Sequence, residues 1–167
     1  PSMAHRYNVT PACIASYPLY RGVASVVGMD VLHTGMEIAH EFNTLKEHWS
    51  KYDFSFIHIK KTDSYGEDGN PDGKIKIMEE ADKYIPMLRD LDPDVIMVTG
   101  DHSTPPPMKS HSWHPVPFMI HSKVCSFDDA QAFNETECSK GQLGNFPSYH
   151  IMELALANVG KLKKFGA

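Results

Sequence analysis

The sequence predicts an α/β fold: a mostly parallel sheet with helices on both faces, forming part of a domain. Three observations carry this. Residues 53–61 (DFSFIHIKK) combine aromatic and β-branched residues over the length of a strand. Residues 75–89 (IKIMEEADKYIPMLR) place apolar side chains at helical spacing, and the apolar run at 95–99 reads as a second strand. Strand, helix, strand in that order is a βαβ unit, whose natural setting is a parallel sheet. Both strands lead into loops rich in carboxylates or histidines, and in such sheets function gathers at the carboxyl ends of strands.

The other elements follow in order. Residues 12–27 (ACIASYPLYRGVASVV) carry apolar residues at helical spacing and predict a helix, broken near Pro18 and stopped at Gly28. MDVL at 29–32 suits a short strand. Residues 36–52 predict an amphipathic helix, with Met36, Ile38, Ala39, Phe42, Leu45 and Trp49 inward and Glu37, Glu41 and Lys46 outward. His40 and His48 lie in that helix as solvated or capping residues. Residues 62–74 are dense in turn formers and read as a loop. In 75–89 the inward face is Ile75, Met78, Ala81, Ile85 and Leu88, and Asp92-Pro93 breaks the helix. A strand at 116–120, a polar tract at 122–146 that is mostly loop with at most a short strand, and a final helix at 147–161 complete the chain. The basic tail KLKKFGA suits a helix carboxyl end.

Composition narrows the function. A chain of 167 residues is one domain with one core. A net charge of −5 without a basic stripe argues against nucleic acid as the partner. No apolar stretch is long enough to span a membrane. The three cysteines, Cys13, Cys125 and Cys138, are odd in number and widely spaced, as free thiols of a reducing compartment are. The chain opens without an initiator methionine, and the expectation is that an upstream part has been cut away.

Residues 99–117 (TGDHSTPPPMKSHSWHPVP) hold the densest chemistry, with an Asp-His pair, two further histidines and five prolines. Asp101 and His102 stand at the end of a strand, and the proline-stiffened loop is expected to bring His114 back toward them. Carboxylate and imidazole together form the ligand set of a divalent metal of the zinc or manganese type. His111 reads as a turn cap, with support of the metal ligands as the alternative, Trp113 as packing that positions His114, and His58 as a histidine of the core or of a strand face. Asp63 and Glu67, spaced D-x-x-x-E after a strand, offer a second metal position with His114. Residues 68–79 (DGNPDGKIKIME) also satisfy the calcium-loop pattern. That motif needs an entering helix, however, and Pro71 is awkward inside it. A surface turn opening a helix, with Asp72 near its start, accounts for the same residues.

Three pieces in one order are specific: KKTDSYGEDG at 60–69, VTGDHSTP at 98–105 and HSWHPVP at 111–117. Together they resemble the archaeal-type cofactor-independent phosphoglycerate mutases, which belong to the alkaline phosphatase superfamily. YPLYRGVASVVGMDV at 17–31 and the terminal LKKFGA look like the same family. The resemblance implies an alkaline-phosphatase-like fold. It also implies that residues 1–167 are the carboxyl-terminal part of the metal-binding domain, with the amino-terminal part and an inserted domain absent.

The resemblance further implies two divalent ions, manganese, magnesium or zinc, and no requirement for 2,3-bisphosphoglycerate. Asp101 and His102 match the pair that holds one ion; Asp63, Glu67 and His114 match the positions for the other. Many relatives carry His at the place of Glu67, and a carboxylate there favours manganese or magnesium over zinc. Asp68 is the adjacent alternative. The nucleophilic serine of the family belongs to the absent amino-terminal part, and neither Ser103 nor Ser112 takes its place. Arg21, Lys60 and Lys61 are candidates to hold the phosphate and carboxylate of phosphoglycerate. The implied reaction is a cytoplasmic interconversion of 3- and 2-phosphoglycerate through a phosphoserine. The expected partners are the absent part of the protein or a second copy of the chain. The alternatives are another phosphate or phosphonate hydrolase of the superfamily, and a calcium- or metal-binding module without chemistry.

Overall fold

The computed structural model describes residues 2–162, so most of the predicted basic tail lies outside the described residues. After a short helix α1 (Met3–Tyr7), strand β1 (Pro11–Ala15) forms the middle of a three-stranded parallel sheet. Its neighbours are β2 (Asp30–Leu32) and β3 (Phe54–His58). All five residues of β1 are buried. A parallel strand covered on both faces reads as a continuous apolar run with no period of two. That corrects the helix predicted from residue 12. The run ACIA suits either state, and tertiary cover decides it. The helix starts later, as α2 (Pro18–Val26), with Pro18 in the first turn, where its missing N–H is not needed.

Helix α2 crosses from β1 to β2, and α3 (Ile38–His48) leads from β2 to β3. His40 and His48 are caps as predicted. His40 completes a capping box with Glu37, and His48 Nδ1 lies 2.9 Å from the carbonyl of Thr44. Register explains the layers. Cys13 stands opposite Phe56 and Ala15 opposite His58, so these four share one face of the sheet. Cys13 and Ala15 pack there with Ala24 and Met29, flanked by Tyr20 of α2 and by Phe54 and Phe56. The other face meets Ile38 and Phe42 of α3 and Ile77 of a later helix. Helices on both faces of a parallel sheet are therefore present. The outer side of α2 is apolar yet open, with Leu19, Val23 and Val26 all more than half exposed.

The stretch after β3 is not the loop predicted. Residues Lys61–Glu67 form helix α4, and α5 (Pro71–Asp82) follows. Asn70 caps α5, its side-chain oxygen accepting from Gly73 N–H at 2.9 Å, and Pro71 occupies the first turn. The calcium-loop pattern is thus used for a cap and a helix. A calcium hand at 68–79 is not formed, and Asp72 lies near the helix start as the turn reading expected. Pro86 opens a separate helix, α6 (Ile85–Asp90), which splits the single helix predicted over 75–89. Its inward face is also different: Ile77, Ala81, Tyr84 and Leu88 face the core, while Ile75 and Met78 are exposed.

Strand β4 (Val95–Thr99) pairs with β5 (Phe118–Ser122) in a second, antiparallel sheet. The connection 100–117 contains no crossover helix, so the return strand runs antiparallel. The described residues end with α7 (Glu135–Cys138) in the polar tract, where no strand forms beyond Ser122 among the described residues, a 3-10 turn at Ser148–His150 and α8 (Ile151–Asn158). Ser122 Oγ donates to Asn158 Oδ1 at 2.6 Å and ties β5 to α8. All three cysteines are free thiols. Among the described residues no helix is long and apolar enough to cross a membrane.

Candidate metal centre

The site forms where α4, which follows β3, packs against the loop after β4. Asp63 lies in the first turn of α4, where a carboxylate is favoured by the exposed N–H groups. Lys60 donates to its Oδ2 from just before the helix. Thr104 Oγ1 donates to its Oδ1 at 2.5 Å. Burial works against the charged form of Asp63. The hydrogen bonds from Lys60 and Thr104 and the Lys60 charge outweigh it, so the carboxyl titrates below its ordinary value.

Gly66 makes the close approach possible. A Cβ there would lie 2.3 Å from the carbonyl oxygen of Thr104, so α4 packs directly against the loop after β4. Lys74 of α5 also donates to that carbonyl, at 2.9 Å. Burial lowers the ammonium pKa of Lys74, against the pull of Asp63 and Glu135.

The loop 100–117 is folded back on itself by a bridge between Ser103 and Ser112, whose N–H donates to the Ser103 carbonyl at 2.9 Å. Neighbours of a bridged pair alternate in direction. His102 and His111 therefore share one side, with ring centroids 3.9 Å apart. His111 Nε2 lies 3.6 Å from Asp63 Oδ1 and 3.7 Å from Glu67 Oε1. His102 Nε2 lies 3.5 Å from Asp101 Oδ2. Tyr20 donates its hydroxyl to that same oxygen of Asp101, while its ring stacks 3.5 Å from the ring of His58. Burial, with the Lys60 charge adding to it, pushes His58 down to about 4, so it stacks as a neutral ring.

Asp63, His102 and His111 each offer a ligand atom within 4.8 Å of the other two. Bonds of about 2 Å to one ion place its ligands roughly 3–3.5 Å apart, so small side-chain movements bring such donors into range. Carboxylate and imidazole suit manganese, magnesium or zinc. The residues present fit a divalent ion.

Of the five ligands expected from the sequence, Asp63, Glu67, Asp101 and His102 lie along this cluster. His114 does not. Its Nδ1 is 2.8 Å from Ser112 Oγ, and its ring stacks on the exposed Trp113. It lines a shallow cleft with Lys74 and Glu135 instead. His111 takes the place expected of His114. With Ser112 bridged to Ser103, the alternation turns His111 and His114 to opposite sides, a relation that residue spacing alone does not show. His58 is a face histidine as read.

The expected substrate contacts separate. Lys60 is engaged by Asp63 and lies 5.0 Å over the ring of Tyr17. Lys61 pairs with Glu37 at 3.3 Å. Arg21 is exposed on α2.

The sequence profile of the metalloenzyme superfamily matches residues 1–158. Over its whole length the chain is 54% identical to a probable 2,3-bisphosphoglycerate-independent phosphoglycerate mutase of Thermosipho melanesiensis and spans 42% of that protein. It is 52% identical to the corresponding protein of Aquifex aeolicus and spans 41% of it. These relatives bear the family name that the three motifs pointed to. Among solved structures, a protein of Pyrococcus horikoshii superposes with a TM-score of 0.94 at 32% identity, over 99% of this chain and 53% of its own. The cofactor-independent phosphoglycerate mutase of Thermoplasma acidophilum shares the fold, with a TM-score of 0.75 over 94% of this chain and 38% of its own, at 24% identity. With the profile matched over nearly the entire sequence, the chain belongs to the metalloenzyme superfamily.

Proposed function

We propose that residues 1–167 are the carboxyl-terminal part of a phosphatase-like metal domain and supply metal ligands to a cofactor-independent phosphoglycerate mutase. The reaction would interconvert 3- and 2-phosphoglycerate in cytoplasmic glycolysis and gluconeogenesis, with no need of 2,3-bisphosphoglycerate. The observation that carries this reading is the meeting of Asp63, His102 and His111 at the ends of two different sheets. Asp63, Glu67 and His111 would hold one divalent ion, and Asp101 and His102 the other. When bound, such a pair neutralises charge on a phosphoryl group and favours in-line transfer. Manganese or magnesium suits the carboxylate-rich first position better than zinc.

The chain's own residues prepare that site. Lys60 and Thr104 keep Asp63 ionised and aimed. Tyr20 holds one oxygen of Asp101, and its stacking on His58 fixes the ring that does so. Arg21 and Lys61 remain candidates for contacts to substrate, and Lys60 acts first on Asp63. The nucleophile is expected in the part of the protein outside this chain, which spans under half the length of the mutases it matches. That remainder, or a second copy, is the proposed cover for the open apolar side of α2.

The test is mutase turnover of 3-phosphoglycerate by the protein at its natural length, with manganese, for the native sequence and for Asp101→Ala. Turnover to 2-phosphoglycerate that Asp101→Ala abolishes supports the reading. Release of free phosphate without isomerisation points to a hydrolase of the same superfamily.

A further inference from the structure

The hydroxyl of Thr104 stands between the two halves of the cluster. Its Oγ1 lies 2.5 Å from Asp63 Oδ1 and 3.0 Å from His102 Nδ1. The residue is only 2% exposed, so water does not compete for either bond. It is also clamped: its carbonyl accepts from Lys74, and Gly66 packs against it with no room for a side chain.

A hydroxyl has one proton to give. An ionised carboxylate can only accept, so that proton goes to Asp63. The Thr104 oxygen is then an acceptor toward His102, and Nδ1 of the neutral ring must carry the hydrogen. The lone pair is left on Nε2, the atom that faces Asp101 Oδ2.

We propose that Thr104 is the positioning residue that sets the tautomer of His102, turning Nε2 outward as a ligand atom and locking the Asp63 half of the site to the Asp101–His102 half. The inference rests on the metal reading above for its consequence, though the tautomer itself is a property of the metal-free protein. Partners of this kind orient metal-binding histidines, and their loss typically weakens metal affinity about 10–100-fold.

The experiment uses the protein at its natural length. Long-range proton–nitrogen NMR of metal-free protein at a pH where His102 is neutral reads which ring nitrogen is protonated. Manganese titration of the native protein, Thr104→Val and Thr104→Ser reads affinity. The expected result is His102 protonated on Nδ1 in the native protein and in Thr104→Ser, both binding manganese alike. Thr104→Val keeps the shape without the hydroxyl, and it should lose the fixed tautomer and bind manganese about 10–100-fold more weakly.

Protonation of native His102 on Nε2, or equal manganese affinity in Thr104→Val, would overturn the inference. Failure of the native protein to bind manganese would sink the metal reading alone, and the native tautomer would still decide the role of Thr104. Should Thr104→Val not fold, the native tautomer and the behaviour of Thr104→Ser decide it.

Discussion

His111 Nε2 lies 3.6 Å from Asp63 Oδ1, and this approach joins the loop after β4 to helix α4. The Ser103–Ser112 bridge doubles the loop back and sets His111 beside His102, facing Asp63. His111→Ala should therefore weaken manganese binding by at least about tenfold. His114→Ala, three residues on but turned to the other side, should leave it within about twofold by the same reasoning. Titration of both variants checks this, and equal losses would return His114 to the site.

Gly66 lets α4 touch the Thr104 carbonyl. Gly66→Ala forces a Cβ against backbone 2.3 Å away, and neither side can yield cheaply. A loss of about 1–3 kcal/mol is expected, although alanine is the better helix former. Chemical denaturation measures it. A gain in stability would mean that the two segments are not in contact.

Glu41 is buried, 2% exposed, and accepts from Ser16 N–H. Burial raises its carboxyl from 4.5 to about 7, and the Ser16 hydrogen bonds and Lys61 reverse only part of that. The folded chain thus holds this proton more tightly than the unfolded one. Its contribution falls as pH rises from about 4.5 to 7 and stays low above. Glu41→Gln should flatten that decline and be more stable at pH 8 by about 2–3 kcal/mol. Unfolding free energies at pH 5 and pH 8 decide it; a variant less stable at pH 8 would contradict the burial argument.

Asn70 caps α5 through Gly73. Asn70→Ala should cost about 1 kcal/mol. Calcium should not alter the stability of the native form, because Asn70 Oδ1 already accepts from Gly73 N–H, nor that of Asn70→Ala, which lacks that oxygen. Thermal melts with and without calcium read both effects.

Much of the site could be read from residues. Asp63 follows β3, and Asp101 and His102 follow β4, so strand ends pointed to the right residues even though the two strands lie in separate sheets and do not form the one parallel unit predicted over 53–99. β3 and β4 were legible because aromatic and β-branched residues crowd them. β1 was not, since ACIA shows no period and its strand state comes from being covered on both sides. α4 was hidden by its composition: Asp63, Ser64, Gly66 and Glu67 look like a turn. The helix is held by the Lys60–Asp63 pair and by packing of Tyr65 into the core. His111 was passed over for His114 because the choice depends on a single backbone bridge, which spacing alone does not reveal.

The most direct test of the account is the number of manganese ions bound by the protein at its natural length, native and with Asp63→Ala. Two ions per chain in the native protein, and one or none in the variant, is the expected result. No bound manganese in the native protein, or the same number in both, would contradict a metal centre built on Asp63.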